Sequence, residues 1–259
     1  IIANKAKDFF KTQLNSTDFG KNVAKSYLTE RGFGDQIIDE FEIGCLTDSS
    51  YTLKSFLVEN GYEIEDLVKI GLLSSKTKDD IYKARIIFPI RTISGRTAGF
   101  GARILKSNTK SAKYINSPES EIYNKSKILF GLSKSKNEIV KKDNCFVVEG
   151  YTDVMRFHQK GIKNVVSSSG TALSKDQINI IRRLSKNITL IYDSDKAGIN
   201  ATERNVDIIL EQGMNINIIL LPENEDPDSF AKNKNESEIL NFLNQNSVDF
   251  IEFKANILN

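Results

Sequence analysis

Two aspartates one residue apart, at the end of an apolar run, are the first candidates for chemistry in this chain. Asp193 and Asp195 follow the run ITLIY. If the backbone stays extended there, both side chains project to the same side, and their charges repel one another. A bound cation relieves that repulsion, and carboxylate oxygens are the ligands that Mg²⁺ and Mn²⁺ prefer. The pair therefore predicts a site for divalent ions.

Four more carboxylates have positions that fit the same site. Glu149 directly follows the apolar run CFVV, and Asp153 comes one helical turn later. Asp226 and Asp228 follow the last apolar run of the chain. Two divalent ions held by such a group can bind both the attacking and the leaving oxygen of a phosphoryl displacement. The combination is more specific than any one of its members.

Each of these acids except Glu149 also has an ordinary structural explanation. Asp195 could serve only as the N-cap of the helix predicted to begin near residue 196. Asp153 could be a charge in the first turn of a helix, and Asp226 and Asp228 could form an acidic turn. A glutamate that closes an apolar run, by contrast, has no packing role.

The elements predicted around these acids place them at one edge of a sheet. From residue 144 onward, apolar runs alternate with amphipathic segments, which is typical of a parallel sheet covered on both faces. Ser174 and Gln177 form a capping-box pattern that predicts the start of one of these helices. In open parallel sheets, binding sites form beyond the carboxyl ends of the strands. Glu149 and Asp193 both lie at such ends.

The first part of the chain has a different pattern. Residues 1–75 carry apolar residues at helical spacing, interrupted by glycines. Residues 84–104 contain two β-type runs around the turn residues Ser94 and Gly95, which predicts a hairpin. Pro89 in the first run favours an edge strand or a strand end. The tail after residue 222 is predicted to be helical.

Composition indicates a globular chain with a locally basic region. Lys and Arg number 36 and Asp and Glu 34, for a net charge of +2. Between residues 76 and 142, however, 16 Lys or Arg face only 5 Asp or Glu, which favours either a phosphate-rich partner or a solvated lysine surface. Two cysteines and one histidine cannot supply the roughly four ligands of a structural zinc site. No apolar run approaches the roughly 20 residues of a membrane span, so no membrane partner is predicted.

The motifs as a set resemble those of the bacterial-type DNA primases of the DnaG family. Four of them are similar to the Toprim module of that family: VVEGYTDV at 147–154, SGTAL at 169–173, LIYDSDKAG at 190–198 and EDPDS at 225–229. The upstream motifs resemble the rest of the primase core: YLTERGF at 27–33, ARIIFPI at 84–90, GFGAR at 99–103, KYINSPES at 113–120 and LFGL at 129–132. The resemblance covers nearly the whole chain, in the order of the family.

The resemblance implies an α/β fold in three parts. A basic, template-binding mixed α/β subdomain is expected over 1–142, and a Toprim catalytic domain with a Rossmann-like, mainly parallel sheet over 143–225. The start of a helical C-terminal subdomain is expected over 226–259. The family's zinc-binding domain and its helicase-binding C-terminal domain are expected to lie outside this chain.

The resemblance also assigns residues. Glu149 matches a metal ligand and candidate general base, and Asp193 and Asp195 match the metal-binding pair of the catalytic site. Asp153, Asp226 and Asp228 match further acids of that metal site. The residues that match contacts to template or nucleotide phosphates are Arg31, Arg103, Lys113, Asn116 and Lys125. One departure is Ser194, where family members often have glycine.

Two aromatic residues lie among the basic motifs, Phe100 and Tyr114. Aromatic side chains in such a region can stack on the bases of a single strand. Core packing is the commoner role of an aromatic residue in a β-type run, and we expect it for both.

The implied activity is DNA-directed RNA polymerase activity. The family makes short RNA primers on single-stranded DNA for replication, from ribonucleoside triphosphates, with Mg²⁺ as cofactor and Mn²⁺ as a substitute. The implied partner is the replicative helicase of the primosome, and the implied location is the cytoplasm, at the replisome. Two other classes remain open at this point: another Toprim phosphodiester enzyme such as a nuclease, and a non-enzymatic nucleic-acid-binding module that holds Mg²⁺.

Overall fold

Two compact units make up the chain, Ile1–Lys125 and Ser126–Asn259. The structure is a computed structural model, and it describes residues 1–48, 51–105, 111–170, 172–193 and 196–258. The helix Leu132–Lys142 contacts the strand Val165–Ser167 and so belongs to the second unit, although it precedes the boundary expected at residue 142. The three-part division at 142 and 225 stays a prediction.

The described residues of the first unit form a four-stranded antiparallel sheet with helices packed around it. The strands have the order β1-β2-β3-β4 and are β1 Gly44–Leu46, β2 Arg85–Arg91, β3 Thr97–Ile104 and β4 Tyr114–Asn116. The helices are α1 Ile2–Ser16, α2 Ser26–Glu30, α3 Asp35–Glu40, α4 Leu53–Glu59 and α5 Ile64–Lys69, with a π-helical segment Gly20–Lys25 before α2. A 3₁₀ turn, Lys125–Lys127, begins at the last residue of this unit. The predicted hairpin is confirmed as β2 and β3. The prediction for residues 1–75 is mostly helical and does not include β1, which is too short to show a periodic pattern.

Pro89 lies in the interior strand β2, so its expected place on an edge strand is wrong. The pairing explains why proline is tolerated there. β1 pairs with β2 only at Arg85, Ile86 and Ile87, whereas β3 pairs along the whole of β2. Pro89 therefore lies beyond the end of β1, so β1 does not pair with β2 at this residue, and the missing N–H of proline costs no hydrogen bond to β1.

The described residues of the second unit form a five-stranded sheet of order β6-β5-β7-β8-β9. The strands are β5 Cys145–Val148, β6 Val165–Ser167, β7 Asn187–Tyr192, β8 Asn215–Leu220 and β9 Val248–Asp249. The helices are α6 Leu132–Lys142, α7 Tyr151–Gln159, α8 Lys175–Arg182, α9 Lys196–Glu211, α10 Pro227–Lys232, α11 Glu236–Gln245 and α12 Phe250–Leu258. The four strands β5 to β8 pair in parallel, which confirms the mainly parallel sheet. β9 adds an antiparallel edge within the tail, for which helices alone are predicted.

Buried apolar residues lie on both faces of the parallel sheet, since the adjacent residues Val147 and Val148 of β5 point to opposite faces and are both buried. One core cluster lies on the face of Val147. Val147, Leu190 and Ile218 come from three neighbouring strands and are fully buried. The predicted capping box at the start of α8 is present: Gln177 N donates to Ser174 Oγ, and Ser174 N donates to Gln177 Oε1. Within the described part of the chain, no helix combines the length and the apolarity that crossing a bilayer requires.

Substitution of a core leucine of the parallel sheet should test this packing. Leu190→Ala deletes a fully buried side chain of β7, and we expect it to lower the free energy of unfolding by about 2–5 kcal/mol. Leu210→Ala on the exposed side of α9 is the matched control, with an expected change within about 0.5 kcal/mol. Urea unfolding followed by circular dichroism measures both, and equal losses in the two variants would contradict the assigned core.

Candidate active site

The neighbouring parallel strands β5 and β7 bring two of the predicted acids to one edge of the sheet. Val147 of β5 pairs with Leu190 of β7, so the two strands end side by side. The chain leaves β5 for β6 on one side and returns to β7 on the other, which makes this a topological switch point, where open α/β sheets bind ligands. Glu149 directly follows β5 and Asp193 directly follows β7.

The loop after β6 holds the backbone of Glu149. Its carbonyl oxygen accepts a hydrogen bond from Ser167 Oγ at 2.6 Å and another from Gly170 N at 3.2 Å. Ser167 Oγ in turn accepts from Ser169 N at 2.8 Å. The segment that resembles the family's SGTAL motif therefore fixes the position of this glutamate.

A cavity of about 250 Å³ lies beside Glu149, with Ser168 and Arg204 among its lining residues. Its wall is fixed by Asn205, whose Nδ2 donates to Tyr192 Oη at 2.8 Å and whose Oδ1 accepts from Leu173 N at 2.9 Å. Burial, with a further contribution from the charge of Glu149, raises the pKa of Tyr192, so its phenol stays protonated. The cavity thus combines a carboxylate, a guanidinium and neutral hydrogen-bonding groups.

The start of α9 approaches the end of β7 closely. A Cβ atom on Gly198 would lie 2.2 Å from the carbonyl oxygen of Asp193, so a residue with a side chain could not occupy this position without moving the helix. Ser194 and Asp195 lie outside the described residues. The expectation that Asp193 and Asp195 point to the same side therefore stays a prediction.

Asp153 is a buried acid surrounded by other acids. It lies in the first turn of α7, where its Oδ2 accepts a hydrogen bond from Gly150 N at 2.8 Å. Burial raises its pKa to about 8, against the lowering effect of that hydrogen bond, and the negative charges of Asp226, Asp228 and Asp193 raise it further. These three carboxylates are thus close enough to act on Asp153. The structure brings together four of the six predicted acids in this way.

Asp226 and Asp228 have different environments although they lie two residues apart. Asp226 is exposed and caps α10, because its Oδ1 accepts from Ser229 N at 2.7 Å. Asp228 is 3% exposed, and its Oδ1 accepts from Arg156 Nε of α7 at 2.6 Å. The acidic turn considered as an alternative is therefore the first turn of a short helix that an ion pair ties to α7.

The donor set fits a hard divalent cation. It consists of carboxylate oxygens, which Mg²⁺ and Mn²⁺ prefer, and the three acids that act on Asp153 concentrate negative charge near it. In the part of the chain that the structure describes, no group of three His, Cys, Asp or Glu residues is arranged to hold an ion on its own. Asp195 is the predicted ligand closest in sequence to Asp193, and it lies outside the residues that the structure describes.

Two of the predicted phosphate-binding residues meet at one tyrosine in the first unit. The guanidinium carbon of Arg103 lies 4.7 Å from the ring centre of Tyr27 and 5.2 Å from that of Tyr114, within the range of cation–π attraction. Arg103 Nη1 donates to Tyr114 Oη, and Arg31 Nη1 donates to Tyr27 Oη, both at 2.8 Å. The rings thus hold two positive charges in defined positions.

The other predicted phosphate contacts lie in two places, at β4 and in the 3₁₀ turn. Lys113 is exposed and directly precedes β4. Asn116 is the last residue of β4 and pairs with Gly101 of β3. Lys125 begins the 3₁₀ turn, and its backbone N–H donates to Glu119 Oε1 at 3.0 Å. These residues lie in irregular or short elements, where side chains are accessible to a ligand.

Two neighbours of this group have a structural role instead. Ser117 Oγ lies 2.7 Å from Tyr82 Oη and accepts from Phe100 N at 2.9 Å, in the buried part of the sheet. Phe100 is 1% exposed and packs in the core. The expectation of core packing rather than base stacking is therefore confirmed for Phe100. It is wrong for Tyr114, which is 36% exposed.

Sequence reasoning missed Tyr27, Arg156 and Asn205. Each acts through a partner that is distant in the chain: Arg103 for Tyr27, Asp228 for Arg156, and Leu173 for Asn205. The sequence of α7 gave no signal for Arg156, because the helix also contains the polar residues Asp153 and His158 and its burial is seen only in the structure.

Comparisons with known proteins agree with this geometry. The family model described as "DNA primase catalytic core, N-terminal domain" matches residues 9–136, and the one described as "Toprim-like" matches 146–231. The RNA polymerase domain of Mycobacterium tuberculosis primase DnaG superposes with a TM-score of 0.89 at 30% identity, over 97% of this chain and 84% of that one. The chain belongs to the DnaG-type DNA primase family.

Other relatives extend the comparison within the primase family. The DNA primase of Staphylococcus epidermidis is 37% identical over 253 residues, which cover 96% of this chain. A DnaG primase catalytic domain whose structure was solved bound to single-stranded DNA has a TM-score of 0.87 at 30% identity, over 99% of this chain and 81% of that one. The chain spans 42% of the length of the curated staphylococcal primases that it matches.

The raised pKa of Asp153 should make stability depend on pH. Between the ordinary aspartate pKa of 3.8 and the folded value of about 8, the folded chain keeps a proton that the unfolded chain has lost. Stability therefore falls as the pH rises through that window. Asp153→Asn keeps an acceptor for Gly150 N but cannot titrate, so we expect a flatter dependence, measured by urea unfolding between about pH 5 and pH 8 in EDTA.

Asp176→Asn is the control for this measurement, because Asp176 is an exposed aspartate in the first turn of α8. It should keep the wild-type slope. The same slope in Asp153→Asn as in the wild type would show that the Asp153 carboxyl ionises alike in the folded and the unfolded chain.

Proposed function

We propose that this chain is the nucleotidyl-transfer core of a DNA primase and joins ribonucleotides on a single-stranded DNA template. The observation that carries the proposal is the pairing of β5 with β7, which places Glu149 and Asp193 at the switch point of a parallel sheet. Membership of the primase family supports the same reaction.

In the proposed reaction, the 3′-hydroxyl of the growing RNA attacks the α-phosphate of a ribonucleoside triphosphate. The new P–O bond forms as the bond between the α-phosphorus and the bridging oxygen of the β-phosphate breaks, and pyrophosphate leaves. The proton of the attacking hydroxyl passes to a base or to water. Glu149 is the candidate base, because its backbone is fixed by Ser167 and Gly170 and its side chain borders an open cavity.

Asp193 is the proposed central ligand for Mg²⁺ or Mn²⁺, with Glu149, Asp195, Asp153 and Asp226 as further ligands. Divalent ions, when bound, supply positive charge for the phosphates and lower the pKa of the attacking hydroxyl. Asp153 is neutral at neutral pH in the absence of a cation, because burial raises its pKa to about 8. It must therefore release a proton before it can ligate an ion.

The first unit is proposed to bind nucleic acid and nucleotide phosphates. Arg31 and Arg103 are the main candidates, since Tyr27 and Tyr114 orient their guanidinium groups. Contacts of this kind hold a strand without recognising its sequence. Lys113, Asn116 and Lys125 are proposed to extend the contact. The partners are single-stranded DNA, the RNA primer and ribonucleoside triphosphates.

The wider cellular role follows from the family. We propose that the protein to which this chain belongs works at the replication fork in the cytoplasm, as part of a primosome. We propose that a replicative helicase is its partner there.

The reaction is tested by extension of a labelled RNA primer annealed to a DNA template, which separates nucleotide addition from initiation. We expect the chain to add ribonucleotides in Mg²⁺ or Mn²⁺ and in a template-dependent order. Asp193→Asn should reduce the rate by about 10³-fold, because it removes a charge that stabilises the transition state. Asp176→Asn, exposed on α8, is the control and should extend the primer at the wild-type rate.

Two outcomes would contradict the proposal. Cleavage of the labelled strands without extension would indicate a Toprim nuclease. Binding of Mg²⁺ and DNA with no turnover of nucleotides would indicate a non-enzymatic binding module.

The role of Tyr27 is tested by comparing two substitutions. Tyr27→Leu removes the ring beside Arg103, and we expect single-stranded DNA to bind several-fold more weakly, since an exposed cation–π contact contributes about 0.5–1 kcal/mol. Tyr27→Phe keeps the ring and loses only the hydroxyl that accepts from Arg31, so its effect should be smaller.

The salt dependence of single-stranded DNA binding distinguishes the charge that Arg103 contributes from the orienting role of Tyr27. Arg103→Ala should lower the slope of log K against log salt by about 1, because one phosphate contact is lost. Tyr27→Leu should leave the slope close to that of the wild type, because both arginines remain. Unchanged affinity in Tyr27→Leu would remove Tyr27 from this role.

A further inference from the structure

The buried ion pair between Arg156 and Asp228 is not explained by the reaction proposed above. Arg156 is among the bulkiest fully buried side chains of the described residues. Its Nε lies 2.6 Å from Asp228 Oδ1, and the two side chains are 1% and 4% exposed. The pair joins the middle of α7 to the first turn of α10, two helices that pack against each other.

A buried charge such as that of the Asp228 carboxylate needs a nearby charge of the opposite sign. A carboxylate that is removed from water needs either a bound cation or a positively charged side chain. At Asp228 the side chain of Arg156 already provides the positive charge, through a hydrogen bond from an ionised donor. Asp228 therefore differs from the exposed Asp226, whose carboxylate caps its own helix.

We propose that Arg156 and Asp228 are positioning residues that lie outside the ion-binding set. Arg156 neutralises Asp228, and the pair holds the first turn of α10 against α7, so that Asp226 stays beside Asp153. This inference rests on the proposed metal-dependent reaction, because it concerns which acids bind the ions. It departs from the family resemblance, which assigns Asp228 to the metal site.

The electrostatic arrangement around Asp153 supports this division. Asp226, Asp228 and Asp193 all act on Asp153 through their charge. A guanidinium at Asp228 reduces the repulsion within this group without a further cation. Arg156 thus allows four acids to lie close together before any ion has bound.

The experiment is a titration of metal-free chain with Mn²⁺, in which electron paramagnetic resonance measures the free ion. Asp193→Asn is the positive control and should weaken binding about tenfold or more. The variant that tests the proposal is the double substitution Arg156→Gln with Asp228→Asn, which replaces the ion pair by two neutral groups that can still hydrogen-bond. We expect it to bind the same number of Mn²⁺ ions as the wild type, with an affinity within about threefold.

Stability measurements test the positioning role separately. Arg156→Gln and Asp228→Asn each leave a buried charge without its partner, so each should lower Tm. The double variant should lose less than the sum of the two single losses, because the residues act as a pair. Additive losses would overturn the positioning role.

The outcomes distinguish this inference from the proposed function. A tenfold or greater loss of Mn²⁺ affinity in the folded double variant would overturn the inference that the pair lies outside the ion-binding set, while leaving the metal site in place. If the wild-type chain itself bound no Mn²⁺, the proposed metal-dependent reaction would fail, and with it this inference.

Discussion

Repulsion between carboxylates that the fold brings together is the constraint around which the second unit is arranged. Three acids, Asp193, Asp226 and Asp228, act through their charge on the buried Asp153. Three features limit the repulsion between these carboxylates: Asp153 keeps its proton, Asp228 is paired with Arg156, and Asp226 stays exposed to water. The remaining negative charge lies where the parallel strands end. An arrangement of this kind is suited to binding cations.

The scaffold contributes rigidity where the proposed chemistry needs it. Glu149 is fixed through its own carbonyl oxygen by a loop from the neighbouring strand, and Asn205 ties that loop to α9 and Tyr192. The close approach of Gly198 to Asp193 sets the position of α9 at the other side of the site. These contacts fix the backbone of both acids, and fixed charged groups of this kind are what electrostatic catalysis requires to avoid reorganisation.

The two units use different physical means to hold charge. In the first unit, aromatic rings orient two arginines at a partly exposed surface, where cation–π attraction and hydroxyl acceptors are sufficient. In the second unit, the arginine is buried and must have an anionic partner, because no solvent is present to compensate it. The first arrangement leaves both arginines only partly buried. In the second arrangement, the guanidinium of Arg156 is buried and paired with Asp228.

The sequence by itself determined the parallel sheet and the acids at its edge, since both follow from local patterns: apolar runs of strand length, helices between them, and carboxylates directly after two strands. Its motifs also indicated the primase family. Only the tertiary structure decided that β5 and β7 are neighbours, that β1 and β9 complete the two sheets, and that Arg156 neutralises Asp228. The physical reason is range. Periodicity and capping act over a few residues, whereas strand order and buried charge pairs join residues as far apart as 156 and 228, whose partners no local pattern specifies.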